Sequence, residues 1–228
     1  MTHLEEQLDR LKNNLTDLGQ LVKTQISKSK TALMNRDVDL ANEVIYHERR
    51  VNAFELKIDK DCEETFALFA PVANDMRLVF STLKINGDLE RIGDYAEGIA
   101  KILLLQKMDF DQELINTLSL PLMYDKALKM LEDVIIAYAS NDSKLARSVF
   151  SRDAEINEIN HSAIAITTQY CQANTARIQQ ALYLLSIIRR LERMGDHITN
   201  IAEEIIFFRE ALVLRHGNKG GDSAWDIE

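Results

Sequence analysis

Proline is almost absent. Pro71 and Pro121 are the only two in 228 residues, and glycine occurs only eight times. These residues punctuate a chain with turns, so the elements between turns must be long. Cysteine is as sparse. Cys62 and Cys171 stand singly in apolar surroundings with no Cys-x-x-Cys spacing, which leaves no support for zinc or thioredoxin-type chemistry and reads as buried free thiols in a reducing compartment. No apolar run approaches the ~18 residues of a membrane span. The start, Met1-Thr2-His3-Leu4-Glu5-Glu6, lacks the basic-then-apolar order of a secretory leader. A cytoplasmic location with no direct membrane insertion is expected. An excess of basic charge is also missing. The net charge is −9 and the sequence pI about 5.1, so DNA, RNA and anionic lipid are poor general partners. Neither a phosphate-cradling glycine-rich loop nor a nucleophile–base set is evident, and an enzyme is not expected.

What is present is a repeated polar string. Glu90-Arg91-Ile92-Gly93-Asp94 returns 102 residues later as Glu192-Arg193-Met194-Gly195-Asp196. Leu89 and Leu191 precede the copies, and Ile99-Ala100 and Ile201-Ala202 follow them. Apolar periodicity can recur between unrelated helices, but a charged string containing glycine is far harder to repeat by chance. The chain is therefore a tandem duplication.

The remaining pattern is helical. Leu4, Leu8, Leu11, Leu15, Leu18 and Val22 step alternately by four and three, a narrow seam suited to a bundle. This first helix is expected to reach about Asn35, with a tight turn at Asn35-Arg36-Asp37 and Asp37 as N-cap. A second helix carries Leu40, Val44, Val51 and Ile58 and ends near Ala70. Pro71 suits the first turn of a third helix, which holds the first motif and fades near Lys107. The polar stretch from Met108 to Ser119 reads as the junction between halves. A fourth helix starts near Pro121. Asn141-Asp142 then repeats the Arg36-Asp37 turn, and a fifth helix matches the second at an offset of 105: Leu40 with Leu145, Val44 with Val149, Glu48 with Asp153. The sixth runs from about Thr175 to Leu214 with the second motif. The fold class expected is all-α, two tandem antiparallel three-helix bundles of six long helices. The bundles span residues 1–108 and 109–216, and residues 217–228 form a disordered tail containing the only tryptophan, Trp225.

Glu90, Asp94 and Glu97 share one helix face, as do Glu192, Asp196, Asn200 and Glu203. Like charges at this spacing disfavour a bare helix by a few tenths of a kcal/mol, so something should compensate them. Arg91 and Arg193 lie roughly 100° away around the helix and would serve neighbouring helices better. A bound cation is the other solution. All candidate ligands are hard oxygens, which suit Fe, Mn, Mg or Ca. Glu48 and Asp153 sit at matching places on the preceding helices and could complete each site. Gly93 and Gly195 each cost a helix about 1 kcal/mol relative to alanine, which suggests close approach of another helix or a metal cluster.

The strings Leu89–Glu97 and Leu191–Glu203, with Asn74-Asp75-Met76-Arg77 upstream, resemble the signature helices of the PhoU family of bacterial phosphate-signalling regulators. The resemblance spans the chain from the first helix to about Leu214. It implies metal held by the Glu90/Asp94 and Glu192/Asp196 motifs. It also implies a negative regulator of phosphate-starvation signalling that links the ATPase subunit of a phosphate ABC transporter to a sensor histidine kinase, and a homodimer. The copies differ where Gly98 faces Asn200 and Glu97 faces Thr199, and where Arg177 and Gln179 replace Asp75 and Arg77. Two sites of unequal strength follow. Two rivals stand beside this reading. One is a metal-free structural adaptor. The other is a carboxylate-bridged di-metal enzyme, which needs Glu-x-x-His on two helices; this chain has one, Glu158 to His161, whose counterpart Ala53 to Leu56 lacks both ligands.

Overall fold

The computed structural model describes residues 2–106 and 109–214. Among these the regular elements are all helical: α1 (His3–Asn35), α2 (Val38–Phe69), α3 (Ala73–Leu105), α4 (Gln112–Thr117), α5 (Leu120–Ser140), α6 (Ser143–Arg147), α7 (Val149–Ala173) and α8 (Ile178–Glu210), with one 3-10 turn at Thr175–Arg177. The long helices form two antiparallel three-helix bundles, α1–α3 and α5–α7–α8. The expected tail at 217–228 and Met108 lie outside the described residues.

The duplication is visible in how the helices stop. Arg36 and Asn141 both take the left-handed conformation, with φ of 51° and 56°. The N–H of the next residue then reaches back five residues, Asp37 to the Ala32 carbonyl and Asp142 to that of Ala137, at 2.9 Å each. This is the closing bond of a Schellman turn. Each aspartate then caps the following helix, Asp37 accepting from the Leu40 N–H and Asp142 from those of Lys144 and Leu145. The α1 seam packs as its spacing implies: Leu8, Leu11, Leu15, Leu18 and Val22 are buried, and only Leu4 in the first turn is half-buried.

Four boundaries differ from expectation. Pro71 lies outside α3, in a short reversal between Ala70 and Ala73, both held at positive φ; its ring is buried rather than placed in a first turn. The junction is not simply polar. Asp111 caps a short helix, α4, and Phe110, Leu114, Ile115 and Leu118 are buried. Asp111 also accepts from the Tyr170 hydroxyl at 2.8 Å and from Arg177 at 2.9 Å, so the junction is tied to the α7–α8 turn. The fifth helix is interrupted at Ser148, whose hydroxyl bonds back to the Leu145 carbonyl at 2.7 Å and so competes with the regular backbone ladder. Finally, α8 stops at Glu210, where Ala211 turns left-handed, four residues before Leu214.

The helices lie in the order α2, α3, α8, α7, while α1 and α5 close the other side and touch each other. The two bundles share one apolar interior: Leu15 and Leu18 of α1, Ile85 and Leu89 of α3, Val134 and Tyr138 of α5 and Ile201 of α8 are all buried in it. The buried Tyr138 hydroxyl is 2.7 Å from that of Thr82, joining the halves by a hydrogen bond. Helices α3 and α8 run antiparallel, since Lys84 meets Glu204 while Gly98 meets Arg190. Their adjacency puts both copies of the repeated string at the middle of the molecule.

Candidate metal centre

Glu48 projects from α2 onto α3 at the first string. Its side chain is only 4% exposed, and neither carboxylate oxygen has a hydrogen-bond partner among the described residues. Gly93 makes this approach possible. A Cβ there would stand 3.2 Å from Oε2 of Glu48 and 3.1 Å from Cγ1 of Val51. The second string repeats the device. Asp153 of α7 is buried, accepts from the Asn157 amide at 3.0 Å, and lies where a Cβ on Gly195 would come within 2.8 Å of its Oδ1. The two glycines are notches that admit a carboxylate from the neighbouring helix, at a helical cost of about 1 kcal/mol each.

Burial pushes the Glu48 carboxyl up to about 8, and the nearby charges of Asp94, Glu97 and Glu90 act in the same direction. Glu90 is raised by burial and then by Asp94; Glu192 is raised by burial and then by Asp196. Each site is thus an acidic group short of positive charge. The arginines of the strings supply part of it. Arg91 lies 3.3 Å from Asp94 and 3.6 Å from Glu90, and Arg193 lies 3.3 Å from Asp196 and 3.7 Å from Glu192. They serve their own helix, against the expectation that they would serve a neighbour. A residue three positions on is within reach of so long a side chain.

Among the described residues, no three His, Cys, Asp or Glu side chains converge so as to hold a metal ion as they stand. Glu97 pairs with Lys101 at 2.6 Å. The Asn200 amide points across the α3–α8 seam to Asp88, at 3.4 Å, rather than joining Glu192 and Asp196. The Glu158 and His161 pair is solvent-exposed on α7, not directed into a bundle interior as a di-metal enzyme requires. The donor set still fits a hard cation at one point: a buried carboxylate with two unpartnered oxygens is costly, and a cation would satisfy it.

A family model described as the PhoU domain matches this chain twice, over residues 15–103 and 120–205. The chain belongs to the PhoU family. The phosphate-specific transport system accessory protein PhoU homolog of Zymomonas mobilis is 31% identical over 219 residues, covering 96% of this chain and 91% of that protein. The accessory protein PhoU of Escherichia coli is 32% identical over 216 residues, covering 95% and 88%. Solved PhoU structures agree. That from Streptococcus pneumoniae has a TM-score of 0.81 at 28% identity, covering 92% of this chain and 99% of its own; that from Pseudomonas aeruginosa has 0.84 at 28%, covering 92% and 100%. PhoU proteins are regulatory and accessory helical proteins, not enzymes.

The two PhoU repeats of this chain are not equal. The first gathers more acid, because the charge of Glu55 also bears on Glu90, and Asp59 bears in turn on Glu55. Their counterparts in the second repeat are Asn160 and Ile164. Glu55 was legible in principle, since it follows Glu48 by seven residues and so shares its face. Departures between the copies have structural reasons. Gly98 leaves room for Arg190, whose Nε would be 2.8 Å from a Cβ there. His197, off the carboxylate face, pairs with Asp88 at 2.8 Å. Cys62 is buried and Cys171 partly so, both as free thiols. No helix among the described residues is long and apolar enough to cross a membrane.

Proposed function

We propose that this chain regulates phosphate homeostasis as a negative regulator of phosphate-starvation signalling, acting as a cytoplasmic homodimeric adaptor between the ATPase subunit of the phosphate transporter and the sensor histidine kinase. The observation that carries the reading is kinship over nearly the whole chain with proteins named for phosphate-specific transport. The test is deletion of the gene in its host with a phosphate-starvation reporter. Constitutive reporter activity in phosphate-rich medium is expected; normal repression in the deletion strain overturns the reading. Cross-linking in the same host, followed by purification, is expected to recover both the transporter ATPase and the kinase.

The site is proposed to bind a hard metal ion, with Glu48, Glu90, Asp94 and Glu97 as donors in the first repeat and Asp153, Glu192 and Asp196 in the second. Bound there, a metal would neutralise these carboxylates, with Glu48 of α2 and Asp153 of α7 as the donors from the neighbouring helices. Glu48 carries this reading, for the reason given above. The Arg91 and Arg193 pairs favour the rival, a metal-free adaptor whose carboxylates are balanced internally. Elemental analysis of native protein separates the two.

A further inference from the structure

The outer face of α2 carries a row of two rings and two cations. Tyr46, Arg50, Phe54 and Lys57 recur there at helical spacing. Tyr46 is 68% exposed, Arg50 and Lys57 are exposed, and Phe54 is half-buried against the core. The Phe54 ring holds both cations. The Arg50 guanidinium carbon stands 5.9 Å from its centroid and the Lys57 ammonium 6.0 Å. A ring face attracts a cation, but two cations gathered at one ring repel each other. Neither has a carboxylate partner among the described residues, and the side-chain oxygen that Lys57 reaches is that of the neutral Asn14, at 3.1 Å. Acids along the same edge are engaged elsewhere. Glu43 takes Lys28 and His47, Asp61 takes the Asn14 amide, and Glu64 takes Lys60. Asp17, exposed on α1 one turn from Asn14, pairs with neither cation.

The bundle architecture does not require this row. At the offset of 105 the second repeat has Ser151, Glu155, Ile159 and Ser162. No ring and no cation remains, and Glu155 faces Lys126 instead. The repeats share one fold, so the row is particular to the first. It gathers positive charge without an internal acid on a chain whose net charge is −9. The row is also short. Eleven residues separate Tyr46 from Lys57, about 16 Å of helix, and Glu43 and Asp61 stand just beyond its ends. A nucleic-acid duplex or a membrane surface extends past both ends and meets those acids, whereas a peptide segment fits between them.

We propose that this face docks an acidic peptide segment of a partner protein. Two carboxylates of the segment reach Arg50 and Lys57 in charge-assisted hydrogen bonds, and an apolar side chain beside them lies on the Tyr46 ring. The inference rests on the adaptor reading, which requires a partner protein, and names the surface and its chemistry.

The probe is the fluorescein-labelled peptide Glu-Leu-Ala-Glu-Glu-Leu-Ala-Glu, titrated with full-length protein and followed by anisotropy. Saturable binding is expected. Arg50→Glu combined with Lys57→Glu should weaken it at least tenfold, and Tyr46→Ala, which leaves the charge unchanged, about threefold. Arg209→Glu, an exposed reversal on α8, should leave it within twofold. Should the double reversal misfold, Arg50→Gln with Lys57→Gln removes the same two charges more gently. Absence of saturable binding, equal binding of the peptide with glutamine for glutamate, an equal loss in Arg209→Glu, or full affinity in Tyr46→Ala overturns the proposal. In the host, a photo-crosslinking benzoyl-phenylalanine in place of Tyr46 should capture a segment of another protein with at least two acids within eight residues. Capture of residues 217–228 of this chain, of a second copy, of RNA or of lipid overturns it. If the double reversal leaves recovery of the transporter ATPase and the kinase unchanged, this surface is overturned while the adaptor reading stands; normal repression in the deletion strain overturns the adaptor reading by itself.

Discussion

Tyr95 and His197 occupy the same position in the two repeats and touch each other, with ring centroids 5.8 Å apart. Residues related by an internal twofold meet only near its axis, so the axis passes between these rings, through the α3–α8 seam. Gly93 and Gly195 flank it. Both carboxylate notches are therefore central to the molecule, and a change in one is felt close to the other.

The Glu48 carboxyl is raised from near 4.5 to about 8 by burial. A raised acid leaves stability intact below its ordinary value and removes it as pH climbs toward the folded value, by about 1.4 kcal/mol per pH unit. Glu48→Gln keeps the shape and removes the charge. In chelator-treated protein its melting midpoint is expected to exceed wild type by roughly 8–16 °C at pH 7.5, at about 2–4 °C per kcal/mol, and to match it at pH 4.5. Equal shifts at both pH values would show that burial of this charge is not what strains the fold.

The metal reading predicts that native protein retains transition metal through purification, and that Asp94→Ala combined with Asp196→Ala lowers the content severalfold by elemental analysis. Unchanged content would assign the carboxylates to Arg91 and Arg193 alone.

The notch reading predicts a reversal of the usual helix rule. Alanine for glycine inside a helix ordinarily adds stability of about 1 kcal/mol, and Gly87→Ala, with no atom within 4 Å of the added Cβ, should show that gain. Gly93→Ala and Gly195→Ala should instead cost about 1–3 kcal/mol by overpacking, with Gly195→Ala the worse, since its Cβ meets Asp153 at 2.8 Å. Urea denaturation measures all three.

Much of this was readable from the chain. The Asp37 and Asp142 caps follow from side-chain chemistry within three residues, and the Leu8 to Val22 seam from spacing alone. Features that depend on a neighbour's position were not readable. The junction looked polar because Phe110, Leu114 and Leu118 are spread among acids, and α4 gains an apolar neighbour only when α5 folds against it. Arg91 and Arg193 were misjudged because angular position on a helical wheel ignores the reach of a long side chain. Asn200 was grouped with Asp196 by its spacing, yet the seam offers it Asp88.

Across that seam, Lys84 approaches both carboxylate oxygens of Glu204, at 2.9 and 3.2 Å, and its ammonium lies 5.5 Å from the Phe207 ring centroid. Glu204 is buried. Lys84→Met should destabilise by roughly 1–3 kcal/mol, the cost of taking the ammonium from a buried carboxylate that keeps the Ser81 hydroxyl at 3.4 Å. Adding Glu204→Gln should restore at least half of the loss in a thermal melt. Strict additivity of the two changes would deny the coupling.

The seam also bears on how alike the repeats can be. In a symmetric pair of identical repeats, each position near the axis faces a copy of its own surroundings, so Asp88 would meet Tyr and Gly, or Arg190 would meet His and Asn. Here Asp88 meets His197 and Asn200, and Arg190 settles over Gly98. Acid and base have been sorted to opposite sides of one contact. Each half now offers the other a partner that a copy of itself would not: His197 and Asn200 for Asp88, and the space over Gly98 for Arg190.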